Sequence, residues 1–340
     1  MEIRKCKKCG FILGTRPRSR EIDGVCLACA NLHKKNEINW QERQTWLKNY
    51  LKMHINPNAN WDIVVGVSGG KDSCTIVRRL IETYEVPKDR LLLVHVCDEF
   101  TLSEAGKYNL DNLVSTYDLD LINFRCAPKT FIEETRKSFF EKLHPLEWIE
   151  KQIYEKPLEI AKAFGIPTVF MGENPAFEYG EDETCSIFHP ASDEETKVIY
   201  MGAIHPYFTQ DSLVMAKEIG FKTLDDFDDW KRQGCLDSFS QIDSKGYIIQ
   251  LWTKFVKFGF QRVSDMACRF VREGVMTKEQ AELAIRDSDW ILDPLAKQDF
   301  CRTIGITERE FDETVDRFAN TNLLIKDVNG NWRRRDYYDQ

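Results

Sequence analysis

The sequence predicts an α/β fold built on a doubly wound parallel sheet, with a cysteine-bearing module ahead of it and a mainly helical region behind. Three observations carry that expectation. Short β-branched runs alternate with helical periodicities from Trp61 to Met171, a glycine turn joins the first such run to the first helix, and strand-like runs fade after about residue 215.

The elements follow in order. Residues 1–35 are rich in Cys, Gly and basic side chains and show little apolar periodicity. A linker over 36–60 holds one helix, with Trp40, Trp46, Leu47, Tyr50 and Leu51 at helical spacing, ended by the turn residues Asn56-Pro57-Asn58-Ala59-Asn60. The α/β domain then spans 61–215. Ile63-Val64-Val65 reads as a strand buried on both faces, Cys74, Val77, Leu80, Ile81 and Tyr84 as one helical face, and Leu91 to Val96 as the second buried strand. A helix over roughly 103–117, a strand at Leu121-Ile122-Asn123-Phe124, more helix, and a strand at Ile166 to Met171 complete the alternation. Ligands of such sheets bind beyond the carboxyl ends of the strands, where Gly69, Gly70, Asp98 and Gly172 fall. The remainder, 216–340, is expected to be mainly helical: residues 247–320 read as successive amphipathic helices, with Thr277 and Thr307 as N-caps, each followed three residues on by Gln280 or Glu310. The run Trp332-Arg333-Arg334-Arg335 reads as a solvated terminus.

Composition narrows the function classes. The 340 residues are 42% hydrophobic and 12% aromatic, enough for a real core, and no stretch reaches the ~18 apolar residues that cross a bilayer. Met1-Glu2-Ile3-Arg4-Lys5 leads into cysteines and not into the apolar core of a signal peptide, so a cytoplasmic location is expected. The net charge of −8 argues against the broad basic surface that nucleic acid requires, although residues 1–35 alone carry nine Lys/Arg against three Asp/Glu.

Of eleven cysteines, four form two close pairs, Cys6-x2-Cys9 and Cys26-x2-Cys29, separated by sixteen residues. Two such knuckles offer four thiolates in tetrahedral array, the closed arrangement of structural Zn2+, so 1–35 is expected to be a zinc ribbon. The other seven cysteines are scattered and read as small buried hydrophobes.

Gly66-Val67-Ser68-Gly69-Gly70-Lys71-Asp72-Ser73 follows a buried strand and opens a helix. Adjacent glycines let backbone amides approach an anion at a helix N-terminus, Lys71 adds a cation, and Ser68 and Ser73 add hydroxyls. Asp72 makes sense beside phosphate once a Mg2+ ion bridges the two. The spacing is not that of the G-x-x-x-x-G-K-[ST] loop. It resembles S-G-G-x-D-S, the fingerprint of the N-type ATP pyrophosphatases, the PP-loop superfamily. That likeness implies ATP as cofactor, cleavage to AMP and pyrophosphate, a PP-loop fold of the adenine nucleotide alpha hydrolase type, and adenine lying along the backbone of His95 and Val96.

A third run, Met171-Gly172-Glu173-Asn174-Pro175-Ala176-Phe177-Glu178-Tyr179-Gly180, should face the same crevice. With the cysteine pairs, the loop, and Lys257-Phe258-Gly259-Phe260-Gln261-Arg262, it resembles the N-acetyl sugar amidotransferases of surface-glycan (O-antigen) and pseudaminic-acid-type biosynthesis. The resemblance implies conversion of an acetamido to an acetamidino group through O-adenylation and displacement by ammonia. Lys71, Asp72, Glu173 and Asn174 are then the catalytic candidates; Ser68, Gly69, Gly70, Ser73 and Gly172 join His95 and Val96 around ATP; Glu178, Tyr179, Lys254, Lys257 and Arg262 are candidates for the sugar substrate. For the three basic residues a solvated helix edge is an equal alternative. The resemblance also implies ammonia from two partners, a glutaminase subunit and a barrel subunit similar to those of imidazole glycerol phosphate synthase. Two rivals remain open: a zinc-containing tRNA thiolase of the same superfamily, which would recruit Cys97, Cys126 or Cys185, and a scaffold with a vestigial nucleotide site.

Overall fold

The computed structural model describes residues 3–17, 19–56, 58–172 and 185–338. At its amino end the cysteine pairs flank a hairpin of β1 (Glu21–Ile22) and β2 (Val25–Cys26). Helix α1 (Trp40–His54) follows, capped by Asn39, whose side chain accepts from the Glu42 amide at 3.1 Å.

The sheet consists of β3 (Ile63–Gly66), β4 (Leu91–Cys97), β5 (Asp120–Arg125), β6 (Thr168–Met171) and β7 (Lys197–Tyr200), all parallel, in the order β5-β4-β3-β6-β7. Period-two alternation assigns its faces: Ile63, Val65, Leu91, Leu93, Phe170 and Ile199 enter one core, Val64, Leu92, Val94, Val169 and Val198 the other. The first core also holds Cys74, Ile76 and Val77 of α2 (Lys71–Arg78). The second takes Ala161 of α5 (Glu147–Ala163). Between them in the chain lie α3 (Glu104–Tyr117) and α4 (Pro128–Lys142). The order reverses at β3: the chain proceeds outward through β4 and β5, then returns to place β6 on the other side. Loops leaving β3 and β6 therefore diverge and open a crevice at the carboxyl edge.

The sequence runs at 63–65, 91–96 and 121–124 lie in strands, and so does 168–171 of the run at 166–171, but β7 was not foreseen. Its four residues follow the charged turn Asp193-Glu194-Glu195, and a run this short carries too little alternation to be read alone.

Beyond α6 (Thr209–Glu218) come α7 (Ile249–Phe258), α8 (Arg262–Arg272), α9 (Lys278–Ser288), α10 (Pro294–Ile304) and α11 (Glu308–Phe318). Thr277 and Thr307 form capping boxes with Gln280 and Glu310. These helices share the main core with the sheet: Phe139 of α4 lies 5.2 Å from Phe300 and 5.3 Å from Phe311, ring centroid to ring centroid.

Two further findings concern the ends. The run Trp332–Arg335 is not a solvated terminus: β9 (Trp332–Arg334) pairs with β8 (Leu324–Lys326), and the buried Arg334 side chain pairs with Asp336 at 2.7 Å. A hydrophobic Leu324 partner and an internal carboxylate draw in an arginine that composition alone would leave in water. The cysteine module has no core of its own and packs on α8 and α9, where Val263, Ala267, Cys268, Ala281 and Ile285 share a cluster with the four thiols. No described helix is long and apolar enough to cross a membrane.

Candidate active site

The phosphate loop leaves β3 at Gly66 and enters α2 at Lys71. Gly69 has φ +84°, and a Cβ there would lie 2.8 Å from the Leu110 amide nitrogen of α3, so sterics and backbone both require glycine. The serines hold the loop's shape: Ser73 Oγ accepts from the Ser68 amide at 3.1 Å, and Ser68 Oγ from the Gly70 amide at 3.2 Å. Among the described residues no side chain caps α2, which leaves its first amides for an incoming anion.

Lys71 is 4% exposed, and its ammonium uses all three donors. They go to both Asp72 oxygens, at 2.8 and 2.7 Å, and to Tyr207 Oη at 2.8 Å. The Tyr207 hydroxyl in turn donates to Asp72 Oδ1 at 3.1 Å. Burial pushes the Asp72 carboxyl up, but the Lys71 charge and hydrogen bond, then Tyr207 and the Arg269 charge, outweigh it and hold the group below its usual range. The Asp72 side chain still keeps 47% of its surface open. An anionic, half-open carboxylate beside an anion cradle is a position suited to a divalent cation.

Gly172, at the end of β6, closes on the same helix: a Cβ there would stand 3.1 Å from Ile76 Cδ1 and 3.7 Å from Asp72 Cβ. His95 and Val96 end β4 beside the loop, where His95 Nδ1–H donates to Val67 O at 3.0 Å and burial lowers the imidazole's pKa. The structure thus brings Ser68 to Ser73, His95, Val96 and Gly172 to one edge. Glu173, Asn174, Glu178 and Tyr179 lie outside the described residues.

The basic candidates separate. Lys257 sits at the turn between α4 and α5, donating to Lys142 O at 3.4 Å; burial, then neighbouring Lys254, lowers it to about 8. Arg262 opens α8 near Cys235.

Four residues of the crevice escaped the sequence reading as site residues: Tyr207, Arg269, Asp98 and Asp243. Arg269 of α8 lies 5.8 Å from the Tyr207 ring centroid. Asp98 follows β4 and accepts from Ser244 Oγ at 2.6 Å and the Phe100 amide at 2.9 Å. Asp243 lies beside it: burial and the Asp98 charge raise its carboxyl to about 7, partly offset by the Ser68 hydroxyl. Burial likewise raises Asp98 to about 6. Only position beyond a strand end pointed to Asp98; the other three come from loops and helices more than a hundred residues after the phosphate loop.

On the other side of α8 the four thiols of Cys6, Cys9, Cys26 and Cys29 are buried, with all sulfurs within 4.8 Å of one another. The Cys9–Cys26 separation of 3.7 Å is the edge of a tetrahedron around an ion about 2.3 Å from each sulfur, the Zn–S length. The cluster therefore has the donors and geometry of a structural metal site.

Comparison with known proteins adds the following. Residues 225–336 match the family described as LPS biosynthesis protein WbpG-like, C-terminal domain. No curated protein matches in sequence. Among solved structures, the NH3-dependent NAD synthetase from Campylobacter jejuni subsp. jejuni NCTC 11168, in complex with the nitrate ion, is similar over 54% of this chain and 74% of that one, at 12% identity and a TM-score of 0.35. The matched domain begins just past α6, contains Arg269 and Asp243, and packs onto a sheet whose central strand carries the SGGKDS loop. Residues 225–336 are thus a WbpG-like C-terminal domain, joined in one chain to a parallel sheet that bears the SGGKDS loop.

Proposed function

We propose that the protein is an ATP-dependent amidotransferase that adenylates the carbonyl oxygen of an N-acetyl group on a sugar and replaces that oxygen with ammonia. One observation carries the reading: Lys71 and Asp72 stand at the mouth of an uncapped helix, at the reversal point of the sheet, and Arg269 of the matched glycan-biosynthesis domain reaches the same place.

The chemistry accounts for the parts. An amide oxygen is a poor leaving group. When it attacks the α-phosphorus of ATP, a new P–O bond forms and the bond to the β-phosphate breaks, releasing pyrophosphate. Lys71 and the α2 amides are placed to stabilise charge on that leaving group. Asp72 would hold Mg2+, which supplies charge neutralisation on the phosphates when bound. Ammonia then bonds to the activated carbon, the C–O bond breaks, and the former amide oxygen departs on AMP, leaving an acetamidino sugar. Glu173, Asn174, Glu178 and Tyr179 belong to this reading as sugar or metal contacts. We place Lys254 and Lys257 with a substrate's anionic group further out, at the turn between α4 and α5.

Cys6, Cys9, Cys26 and Cys29 would hold Zn2+ in a structural role. Ammonia is largely ammonium at neutral pH and needs a sheltered source, so a glutaminase subunit and a barrel subunit are proposed as suppliers. The reaction belongs to the cytoplasm, where ATP and reduced thiols are available. The thiolase alternative requires a reactive thiolate near the loop, and burial raises the Cys97 and Cys126 thiols above their usual pKa.

The test is product analysis with an acetamido nucleotide-sugar, ATP, Mg2+ and ammonium salt at raised pH. AMP, pyrophosphate and a product in which NH replaces O are expected, with Lys71→Ala nearly inactive. ADP and phosphate would refute the superfamily chemistry, and sulfur incorporated into RNA would promote the thiolase.

A further inference from the structure

We propose that Tyr207 is a positioning residue of the reaction: its hydroxyl fixes the direction of the Lys71 ammonium, so that the lysine stays aimed at the departing pyrophosphate after a phosphate oxygen takes one of its other bonds. This inference rests on the reaction proposed above.

The hydroxyl sits between both members of the pair, accepting from Lys71 at 2.8 Å and donating to Asp72 Oδ1 at 3.1 Å. Lys71 has no donor to spare, so phosphate must displace an Asp72 oxygen or Tyr207. Displacing one Asp72 oxygen leaves the other holding the charge. The Tyr207 contact then supplies direction, which a flexible four-carbon lysine stem does not provide by itself.

The segment that carries Tyr207 is held from both ends of the chain. Lys35, the last residue of the cysteine module, donates to Tyr207 O at 2.8 Å, and its ammonium lies 4.6 Å from the Phe208 ring centroid. Arg43 of α1 donates to Ala203 O at 2.7 Å. From the other direction, Glu273 after α8 accepts from the Thr209 amide at 3.1 Å and its hydroxyl at 2.9 Å. A connecting segment fastened this way gives its one active-site hydroxyl a defined position.

Tyr207→Phe removes only the oxygen. ATP binding is measured by calorimetry, thermal midpoint by calorimetric melting, and turnover with ammonium salt as the rate of whichever adenosine product forms. The expected result is a turnover about tenfold lower, ATP affinity within about threefold of wild type and an unchanged midpoint, because the lost interaction acts on charge that develops in the transition state. Lys35→Ala, which releases the segment's backbone but not the hydroxyl, should give a smaller fall in turnover in the same direction. Wild-type turnover in Tyr207→Phe overturns the proposal, and so does a turnover loss that merely tracks a fall in midpoint or in ATP affinity. Product identity in the wild type tests the reaction; the ratio between variant and wild type tests Tyr207, so the two failures are distinct.

Discussion

Gly106→Ala sets two effects of opposite sign against each other. Gly106 lies in the first turn of α3, where alanine is the better helix former by about 1 kcal/mol. A Cβ at this position, however, would lie 2.4 Å from Asp243 O and 2.7 Å from Asp243 Cα. Both are backbone atoms and cannot rotate aside. Restoring an ordinary carbon–oxygen contact of about 3.3 Å means moving the segment by about 1 Å. Two hydrogen bonds oppose that move: the Ser103 amide to Asp243 O at 2.9 Å, and the Ser103 hydroxyl to Ile242 O. At about 0.5–1.5 kcal/mol each, with about 1–3 kcal/mol for overpacking, the losses exceed the propensity gain. The expected net effect is a destabilisation of about 1–5 kcal/mol by the same accounting, read from urea unfolding. ATP affinity should fall too, because Leu110, one turn further along α3, abuts Gly69, and Asp243 faces Ser68. A variant as stable as wild type would show that the seat of Asp243 is soft and that helix propensity decides.

Other outcomes can be checked in parallel. Purified protein should contain one tightly held zinc per chain by elemental analysis, and Cys6→Ser or Cys29→Ser should lower solubility and stability more than ATP affinity; a metal-free, fully folded protein would remove the zinc assignment. Asp243→Asn should become progressively more stable relative to wild type as pH rises from about 4 to about 7: the native carboxyl, raised to about 7 by burial and Asp98 with Arg232 partly compensating, holds its proton where the unfolded chain has lost its own, so the wild type loses stability across that window. Parallel unfolding curves for both proteins over that range would contradict it. The isolated chain should need ammonium salt and use glutamine only once both partner subunits are added; glutamate released from glutamine by the pure chain would overturn that division of labour.

What the sequence disclosed is what neighbouring residues encode. Ser68 to Ser73 form the loop because glycines, serines and lysine act within one turn, and Thr277 and Thr307 cap helices through residues three positions away. Tyr207 and Arg269 reach Lys71 and Asp72 from 135 or more residues later, and nothing local distinguishes this tyrosine from a core aromatic. Asp243 is equally silent in sequence, since its position depends on Gly106 leaving room for it. Arg334 misled because burial of a cation is decided by its partner Asp336, not by its own character. The cysteine pairs announced a four-thiol cluster from spacing alone, yet gave no hint of the helices against which that cluster packs.

That packing has a consequence for handling the protein. Cys268 of α8 donates to Cys9 O at 3.2 Å, and the next residue, Arg269, stands over Tyr207. One turn of helix therefore has the cysteine module against one side and the hydrogen-bond partner of Lys71 against the other. Trimming residues 1–35 as a dispensable appendage would uncover Val263, Ala267 and Ala281, remove the Lys35 fastening, and loosen the crevice from behind. Metal starvation during growth should act in the same direction, so preparations of low specific activity call for a zinc assay before a search for missing substrates.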